Sequence, residues 1–411
     1  MTLILDIRIP PGTIFSEFIR VLIGDITGSI NSRNKVKIST CSRIIILSEE
    51  SNDFIQSYLD SIDLALNLAL KRNIRLRFTG NDKKPINRWL SKLLEITRSQ
   101  EDIKDLSTWE MVTKGLELYK NYLEDKEPES IISEILNEFQ NCSILEGSII
   151  AKYGNFASPQ IFKANFYANQ RNPGYKNADI RLGIHTMTMA FVGALLSKAG
   201  ELREKNEKKG IYLLMPEDLR IPNLLRIFEL YRETIGRVQV LTPEILFKLY
   251  MCLKSIEDGL ELRILDLSYK FKVLTMIEPG NRATVLDVIE LDLSAYAKAL
   301  HDLFIKKRRS FKTLKRIVET SLKKWRPAGS RNKEDRIIAE IGYKLALLYD
   351  LALNGAMEPS QFIYELSRIT YANVSADVSK ALAKFKLEPA DVMKMLKDLG
   401  VTIYEQTTRY T

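Results

Sequence analysis

The amino-acid sequence predicts an α+β protein: mixed N-terminal and middle α/β parts with small sheets, followed by a mainly helical C-terminal domain. Two observations predict this class. Short β-prone runs alternate with helical patterns as far as residue 293, and from Ser294 apolar residues follow a helical period almost to the end of the 411-residue chain. We therefore expect three domains, at residues 1–150, 151–293 and 294–411.

The N-terminal domain is predicted to combine three strands with amphipathic helices. The runs "TLILDIRI", "KVKISTCSRIIILSE" and "NIRLRFTG" are β-prone or alternate between apolar and polar residues, as strands do. Helical patterns cover Asn52–Arg72, "PINRWLSKLLEITRS" and an acidic segment from about Leu106 to Phe139. Pro128 is expected to divide the acidic segment into two helices.

The middle domain is predicted around a long helix that begins after Asn177 and is apolar on nearly every side, which is typical of a helix at the centre of a core. Asn177 is a suitable N-cap for this helix. We also expect a strand at Gly210–Pro216, helices at about 223–235 and 243–258, and strands within Leu260–Ile277 and Ala283–Leu293.

The composition weakens most enzyme interpretations. Cys41, Cys142 and Cys252 are far apart and form no Cys-x-x-Cys pair, so we expect buried, reduced thiols without a disulfide framework or a zinc site. The only histidines, His185 and His301, leave little for a histidine metal site or a Ser-His-Asp triad. The chain lacks phosphate-loop, nucleophile-elbow and zinc-protease motifs. We expect no cofactor and no catalytic residues.

The apolar stretches are too short to cross a bilayer, as in "TMTMAFVGALL" at Thr186–Leu196. The first residues, "MTLILDIRIPPG", lack the basic start and the cleavage site of a signal peptide. The sequence therefore predicts a cytoplasmic protein that has no membrane among its partners.

The net charge of +9 predicts an anionic partner, for which nucleic acid is the commonest large candidate. The charges are also segregated along the chain. Residues 101–140 carry eleven acids and four lysines, whereas residues 306–326 carry ten bases and one acid, Glu319. This segregation predicts a basic surface that binds a polyanion and an acidic surface that faces solvent or a basic partner.

The basic segment follows a helical period, with apolar residues such as Phe304, Phe311 and Leu314 on the side expected to be buried. The candidate nucleic-acid contacts are Lys306, Lys307, Arg308, Arg309, Lys312, Lys315, Arg316, Lys323, Lys324 and Arg326. A helix that is merely solvated usually mixes both signs of charge, so we interpret these residues as phosphate contacts. The alternative is that they form only the solvated face of a structural helix. Trp325 is a further stacking candidate, although its helical phase favours the core.

A second candidate is the loop "NFYANQRNPGYKNADIR" at residues 165–181, which has few residues suited to a core. Its amides and cations can contact base edges or phosphates, and its tyrosines can stack on unpaired bases. The candidate contacts are Asn169, Gln170, Arg171, Asn172, Lys176 and Arg181, with Tyr167 and Tyr175 for stacking. The amides of the helix after Asn177 add a potential anion site, although Asp179 already complements the helix dipole.

The alternative for this loop is a structural turn around Asn172-Pro173-Gly174 with solvated polar residues. We expect His185, which follows in the apolar helix, to be a hydrogen-bonded core residue rather than a general base. A metal-dependent nuclease would instead use converging carboxylates. The candidates for that role are Asp266, Asp287, Glu290 and Asp292, which are better explained as outward polar positions of strands.

The stretch "FYANQRNPGYKNADIRLGIHTMTMAFVGALLSKAGE", a β-containing N-terminal part and a basic helical C-terminal region together resemble the large subunit of an archaeal CRISPR interference (Cascade) complex, most closely the type I-A form. The resemblance implies a non-catalytic subunit that sits at the 5′ handle of the guide RNA, reads a short flanking motif on target DNA and helps to open the duplex. It implies backbone, small, helicase and nuclease subunits as further partners.

Base pairing supplies sequence specificity in RNA-guided systems, so such a subunit needs basic surfaces and one short reading element rather than a catalytic pocket. The acidic segment would then face a basic partner subunit. Two other interpretations stay open: a metal-dependent nuclease that uses the four carboxylates, and a stand-alone DNA-binding scaffold that uses the basic helix as a nonspecific clamp.

Overall fold

The computed structural model describes residues 3–10, 12–29, 33–38, 42–48, 51–140, 142–145, 148–163, 178–204, 207–214, 228–229, 232, 244–257, 270–277, 284–292, 294–325, 332–358, 360–362, 364–365, 368 and 376–407. Residue contacts divide the chain into two compact units. The first comprises Met1–Glu201, Lys205–Phe228 and Phe271–Ile289, and the second comprises Leu202–Glu204, Glu229–Lys270 and Glu290–Thr411. The predicted division into three domains stays a prediction.

The strands are short and form small sheets. They are β1 (Leu3–Ile9), β2 (Arg33–Ile38), β3 (Ser42–Ser48), β4 (Cys142–Leu145), β5 (Ser148–Lys152), β6 (Phe156–Ala157), β7 (Ala178–Leu182), β8 (Lys198–Glu204), β9 (Glu207–Leu214), β10 (Lys270–Ile277) and β11 (Thr284–Asp292). The strand orders are β1-β3-β2, β4-β5-β7-β6 and β11-β10-β9-β8. The pairing of β5 with β7 is parallel, and that of β1 with β3 is antiparallel.

The helices dominate the C-terminal part of the chain, which confirms the predicted α+β class with a helical C-terminal region. They are α1 (Ile14–Ser29), α2 (Ser51–Leu70), α3 (Lys83–Thr97), α4 (Thr108–Glu124), α5 (Pro128–Phe139), α6 (Gln160–Lys163), α7 (Ile184–Ser197), α8 (Glu244–Glu257), α9 (Ser294–Lys306), α10 (Arg308–Lys324), α11 (Lys333–Leu353), α12 (Ala376–Lys384) and α13 (Pro389–Thr407).

Helix α7 lies at the centre of the first unit, and all of its residues from His185 to Ser197 are buried. Its Phe191 ring lies 5.2 Å from the ring of Trp89 and 5.4 Å from that of Phe162, between ring centroids. Helix α1 crosses α7 at Gly193, where an added Cβ would lie 2.0 Å from the carbonyl oxygen of Phe18. The nearly uniform apolar character of this helix therefore predicted its central position correctly.

The start of α7 was predicted wrongly. Residues Ala178–Leu182 form strand β7, and the helix begins at Ile184 after Gly183. The reason is that Ile180 and Leu182 are buried, whereas Arg181 between them is exposed, an alternation that suits a strand as well as a helical face. The residues expected to form the first turns of the helix therefore form a strand, which begins at Ala178.

The predicted strand at Asn73–Gly80 is also wrong, because residues 73–79 form irregular backbone. Leu76 is buried, and the polar groups on either side of it bind the C-terminal end of α7 and the residues that follow. The Lys198 ammonium donates to the carbonyl oxygen of Arg75 at 2.6 Å, and the Arg77 guanidinium donates to both carboxylate oxygens of Glu201 at 3.0 and 2.7 Å. The alternation of apolar and polar residues in this segment therefore reflects contacts with Lys198 and Glu201 rather than pairing with another strand.

The acidic segment forms the two helices that were predicted. Ser107 accepts a hydrogen bond from the amide of Glu110 and the Glu110 carboxylate accepts one from the amide of Ser107, so the pair forms a capping box at the start of α4. Pro128 occupies the first turn of α5, where its missing N–H costs no hydrogen bond. The segment therefore divides at the proline.

Other predicted elements have mixed outcomes. Strands β9, β10 and β11 and helix α8 confirm the predictions near 210–216, 260–277, 283–293 and 243–258. The predicted helix at 223–235 lies mostly outside the described residues. The expectation of three reduced cysteines was wrong, because Cys142 is disulfide-bonded, whereas Cys252 is a buried free thiol. Separation along the sequence does not restrict which cysteines approach each other in space.

Candidate nucleic-acid interface

The basic segment divides into two helices, α9 and α10, at Lys307, whose φ of −140° and ψ of 55° are not helical. The rings of Phe304 and Phe311 meet across this break with centroids 5.0 Å apart. On α10, the side that carries Phe311, Leu314 and Val318 is fully buried within the second unit. The helix therefore docks through its apolar side, as the sequence predicted, and presents the opposite side to solvent.

Five of the predicted phosphate contacts are bound to carboxylates of the protein itself. The pairs are Lys306–Glu405 at 3.2 Å, Arg309–Asp391 at 2.8 Å, Lys323–Glu319 at 2.6 Å, Lys324–Asp335 at 3.1 Å and Lys315–Glu257. Four of the carboxylates lie on α8, α11 or α13, so these cations attach α9 and α10 to neighbouring helices. These ion pairs are what the structural interpretation of the basic segment predicts, and phosphate contact by these five residues stays a prediction.

Four other cations of the segment have no such partner. Lys307, Arg308, Lys312 and Arg316 are exposed, and no carboxylate among the described residues forms an ion pair with any of them. We refer to these four residues as the unpaired ridge. Arg308, Lys312 and Arg316 are spaced four residues apart on α10, so they lie on one side of the helix at intervals of about 6 Å along its axis.

The unpaired ridge has the properties of a phosphate-contacting surface. Its cations are solvent-exposed, and their interaction with an external anion does not require an internal ion pair to break. The Arg308 guanidinium lies 5.3 Å from the centroid of the Phe304 ring, which favours a defined position for its side chain. Each phosphate that such a cation neutralises releases counterions and makes the affinity dependent on salt.

The remaining candidates of the basic segment add no described cation to the unpaired ridge. Arg326 lies outside the described residues. Trp325 is half-buried and packs on Tyr343 with ring centroids 5.3 Å apart, so it is part of the packing between α10 and α11. The footprint that the described residues support is therefore the unpaired ridge.

Most of the predicted recognition loop lies outside the described residues. Tyr167, Asn169, Gln170, Arg171, Asn172, Tyr175 and Lys176 lie outside the described residues, as do Pro173, Gly174 and Asn177. Only its last predicted contact, Arg181, has a described side chain. The loop therefore remains a hypothesis from the sequence.

Arg181 is exposed on β7, and the parallel register places it opposite Lys152 on β5, which is also exposed. No ion pair to either cation is found among the described residues. Like charges directly opposite each other on a sheet repel, so a bound anion would stabilise this pair. Lys152 was missed in the sequence, because only strand pairing brings residues 152 and 181 together.

The predicted anion site at the start of α7 is already filled from within the protein. Glu138 on α5 accepts hydrogen bonds from the amides of His185 and Thr186 at 3.2 and 2.8 Å. An added Cβ at Gly183 would lie 2.2 Å from this carboxylate, so glycine permits its approach. The helix amides therefore hold a side chain of the acidic segment and are not open to a phosphate.

His185 is a hydrogen-bonded core residue, as predicted. Its Nδ1 lies 2.7 Å from the Tyr119 hydroxyl, and its Nε2 lies 3.3 Å from the carboxylate of Glu134. Hydrogen bonding to His185 is the largest cause that lowers the pKa of the Glu134 carboxyl well below its usual range. Burial opposes this effect, whereas hydrogen bonds from Lys126 and Tyr122 add to it.

Many acids of the 101–140 segment have internal partners. Glu101 and Glu117 bind Lys114, and Glu124 binds Lys120. Together with Glu110, Glu134 and Glu138, these residues stabilise α4, α5 and α7. The other acids of the segment are all exposed and form no ion pair with a described cation, and they are Asp102, Asp105, Asp125, Glu127 and Glu129.

The alternative carboxylate set is divided by strand geometry. Asp266 lies outside the described residues. On β11, the two-residue period places Asp287 on one face and Glu290 and Asp292 on the other. In the part of the chain that the structure describes, no three histidine, cysteine, aspartate or glutamate side chains are grouped so that they could hold a metal ion.

No protein-family model matches the chain, and no curated protein has a significantly similar sequence. Among the described helices, none is long and apolar enough to span a membrane.

Proposed function

We propose that this protein binds nucleic acid through the unpaired ridge, which contacts phosphates. The observation that supports this proposal is that Arg308, Lys312 and Arg316 form a row in which none is ion-paired with a described carboxylate, while cations on both sides of them are ion-paired. A helix that served only the fold would gain stability from acids placed among these cations. A row of cations that is left unneutralised is suited to an external polyanion.

At a finer level, we propose that the chain is the non-catalytic large subunit of an RNA-guided CRISPR interference complex of the type I-A kind. Its ligands would be the handle of the guide RNA and the target DNA, and its roles would be recognition of the flanking motif and opening of the duplex. The resemblance of the middle stretch and the unpaired ridge support this proposal. The four carboxylates considered for a nuclease lie on different faces or outside the described residues, which favours a binding role.

The ridge is tested by charge reversal in the full-length protein. Lys312→Glu/Arg316→Glu should lower the affinity for a single-stranded oligonucleotide by at least about 25-fold at about 0.1 M salt, since each phosphate contact contributes about 0.7 to the salt slope. The slope of log affinity against log salt should fall by about 1.4 or more. Lys315 is left unchanged because it binds Glu257.

The matched control is Lys344→Glu/Lys380→Glu, which makes the same charge reversal at two exposed lysines on α11 and α12 of the same unit, neither of which is ion-paired with a described carboxylate. Equal losses of affinity in both variants would show that only net charge matters and would contradict the ridge proposal. Thermal unfolding of both variants verifies that the fold is retained.

The finer proposal is tested by affinity purification of the chain from its native cells. A CRISPR subunit should bring down a short RNA of defined 5′ sequence together with several stoichiometric proteins. Recovery of the chain alone, or with heterogeneous DNA only, would instead support a stand-alone DNA-binding scaffold. The ridge proposal survives that outcome, because it concerns phosphate contact rather than the complex.

A further inference from the structure

The N-terminal three-stranded sheet has its charged residues on one face. In the order β1-β3-β2, the register places Arg8 opposite Arg43 and Arg43 opposite Lys37, which forms one row across all three strands. The next rows on the same face are Asp6-Ile45-Lys35 and Ile4-Leu47-Arg33. This face therefore carries five cations and one acid, and we call it the cationic sheet face.

The opposite face of the sheet is mainly apolar, and four of its residues belong to the core of the first unit. Its rows include Ile7-Ile44-Val36 and Leu5-Ile46-Asn34, and no charged residue occurs on it. Leu5, Ile7, Ile9 and Ile44 are buried. Arg8 on the cationic sheet face is exposed, and no ion pair to it is found among the described residues.

Exposure to solvent explains why this face of the sheet is polar, but it does not explain why the face carries five cations and only one acid. Polar-out alternation is normal for an antiparallel sheet with one covered face. Lysines on edge strands also protect sheets from aggregation, which would explain Lys35 and Lys37 on β2. Neither reason explains why the register of the central strand places Arg43 opposite both Arg8 and Lys37. Like charges directly opposite each other destabilise a sheet unless an anion lies over them.

We propose that the cationic sheet face is a second nucleic-acid-binding surface, which contacts the phosphodiester backbone. Neighbouring positions within a row are about 5 Å apart across the strands, and successive rows on this face are about 7 Å apart along each strand, spacings that suit contact with consecutive phosphates. The uncharged positions of this face are aliphatic, Ile4, Ile45 and Leu47, and none is aromatic. The surface therefore contacts backbone and sugar without stacking on bases, and it is tolerant of sequence.

This surface belongs to the first unit, whereas the unpaired ridge belongs to the second, so the two proposals depend on different residues. A protein with both surfaces could hold two segments or two strands of nucleic acid. If the ridge variant loses affinity and the sheet variant does not, the ridge proposal stands and the sheet proposal fails. The reverse result contradicts the ridge proposal and supports the sheet proposal.

The test uses the full-length triple variant Arg8→Gln/Lys37→Gln/Arg43→Gln. Loss of three phosphate contacts should lower the affinity for a single-stranded oligonucleotide by about 100-fold at about 0.1 M salt. The slope of log affinity against log salt should fall by about 2. The matched control, Lys83→Gln/Lys84→Gln/Arg88→Gln, removes from α3 in the same unit three exposed cations that are not ion-paired with any described carboxylate. Equal affinities of the two variants would overturn the proposal.

Single-stranded RNA and DNA of the same sequence are titrated separately, so that a difference in affinity identifies the preferred nucleic acid. Polyglutamate of equal charge serves as competitor. Competition as strong as that of the oligonucleotide would show attraction to any polyanion and would overturn a phosphodiester site. Weak competition supports the site.

A second measurement requires no variant. Acetylation of Lys35 and Lys37 in the wild-type protein should slow several-fold when RNA or DNA is bound, whereas acetylation of Lys83 and Lys84 should not change. Equal rates at Lys37 with and without nucleic acid would overturn the proposal even if the triple variant failed to fold.

Discussion

Helix α7 in the first unit and helix α10 in the second both lie next to charged side chains, but the charges next to α7 have partners within the protein, whereas some of those on α10 form no ion pair with a described carboxylate. At the start of α7, the carboxylates of Glu138 and Glu134 bind backbone amides and His185. On α10, Lys312 and Arg316 are exposed and have no ion-pair partner among the described residues. Charges that are satisfied internally support the fold, and charges that are not satisfied are the ones available to a ligand.

The largest effect on stability is expected at Glu138. Glu138→Ala leaves the amides of His185 and Thr186 at the start of a buried helix without their acceptor, which should cost about 2–3 kcal/mol of unfolding free energy. Glu129→Ala, an exposed acid on the same helix, should change it by less than about 0.5 kcal/mol. Urea unfolding measures both, and similar values would show that the two acids of α5 are equivalent.

An intermediate effect is expected from Glu201 at low pH. Burial would raise the pKa of the Glu201 carboxyl, but hydrogen bonds from Arg77 and the charge of Lys198 lower it to about 2. A carboxyl whose pKa is depressed in the folded state stabilises the protein above the unfolded pKa of about 4.5 and loses this effect as the pH falls toward 2.

Since Glu201 is partly exposed, we expect about 1–2 kcal/mol of pH-dependent stability from it. Glu201→Gln should lower the stability at pH 7 and flatten its decrease between about pH 4.5 and 2. The measurement is urea unfolding at a series of pH values. A pH profile unchanged by the substitution would show that the ion pair with Arg77 contributes nothing in solution.

The smallest effect distinguishes neighbouring cations of α10. Lys315→Glu should destabilise the protein by about 1 kcal/mol, because it replaces an ion pair with repulsion against Glu257. Arg316→Glu should change the stability by less than about 0.5 kcal/mol, because Arg316 is exposed and forms no ion pair with a described carboxylate. For nucleic-acid affinity we expect the larger loss in Arg316→Glu. Equal stability effects would contradict the separation of paired and unpaired cations.

Local patterns predicted most of the helices. The capping box at Ser107, the proline at Pro128 and the apolar character of α7 act within a few residues, so they can be read from the chain. The strand predicted at Asn73–Gly80 failed because its alternation comes from contacts with Lys198 and Glu201. Such contacts depend on residues more than a hundred positions away and leave no local signal.

The sequence alone determined that residues 306–326 form a basic segment on an amphipathic helical pattern, because helical period and charge are local properties. Only the tertiary structure decided which of these cations are available. Their partners Glu257, Asp391 and Glu405 are separated from them by 58, 82 and 99 residues along the chain. Strand register likewise joined Arg8, Arg43 and Lys37 in one row. An ion pair or a row of repelling charges depends on distance in space, which folding sets.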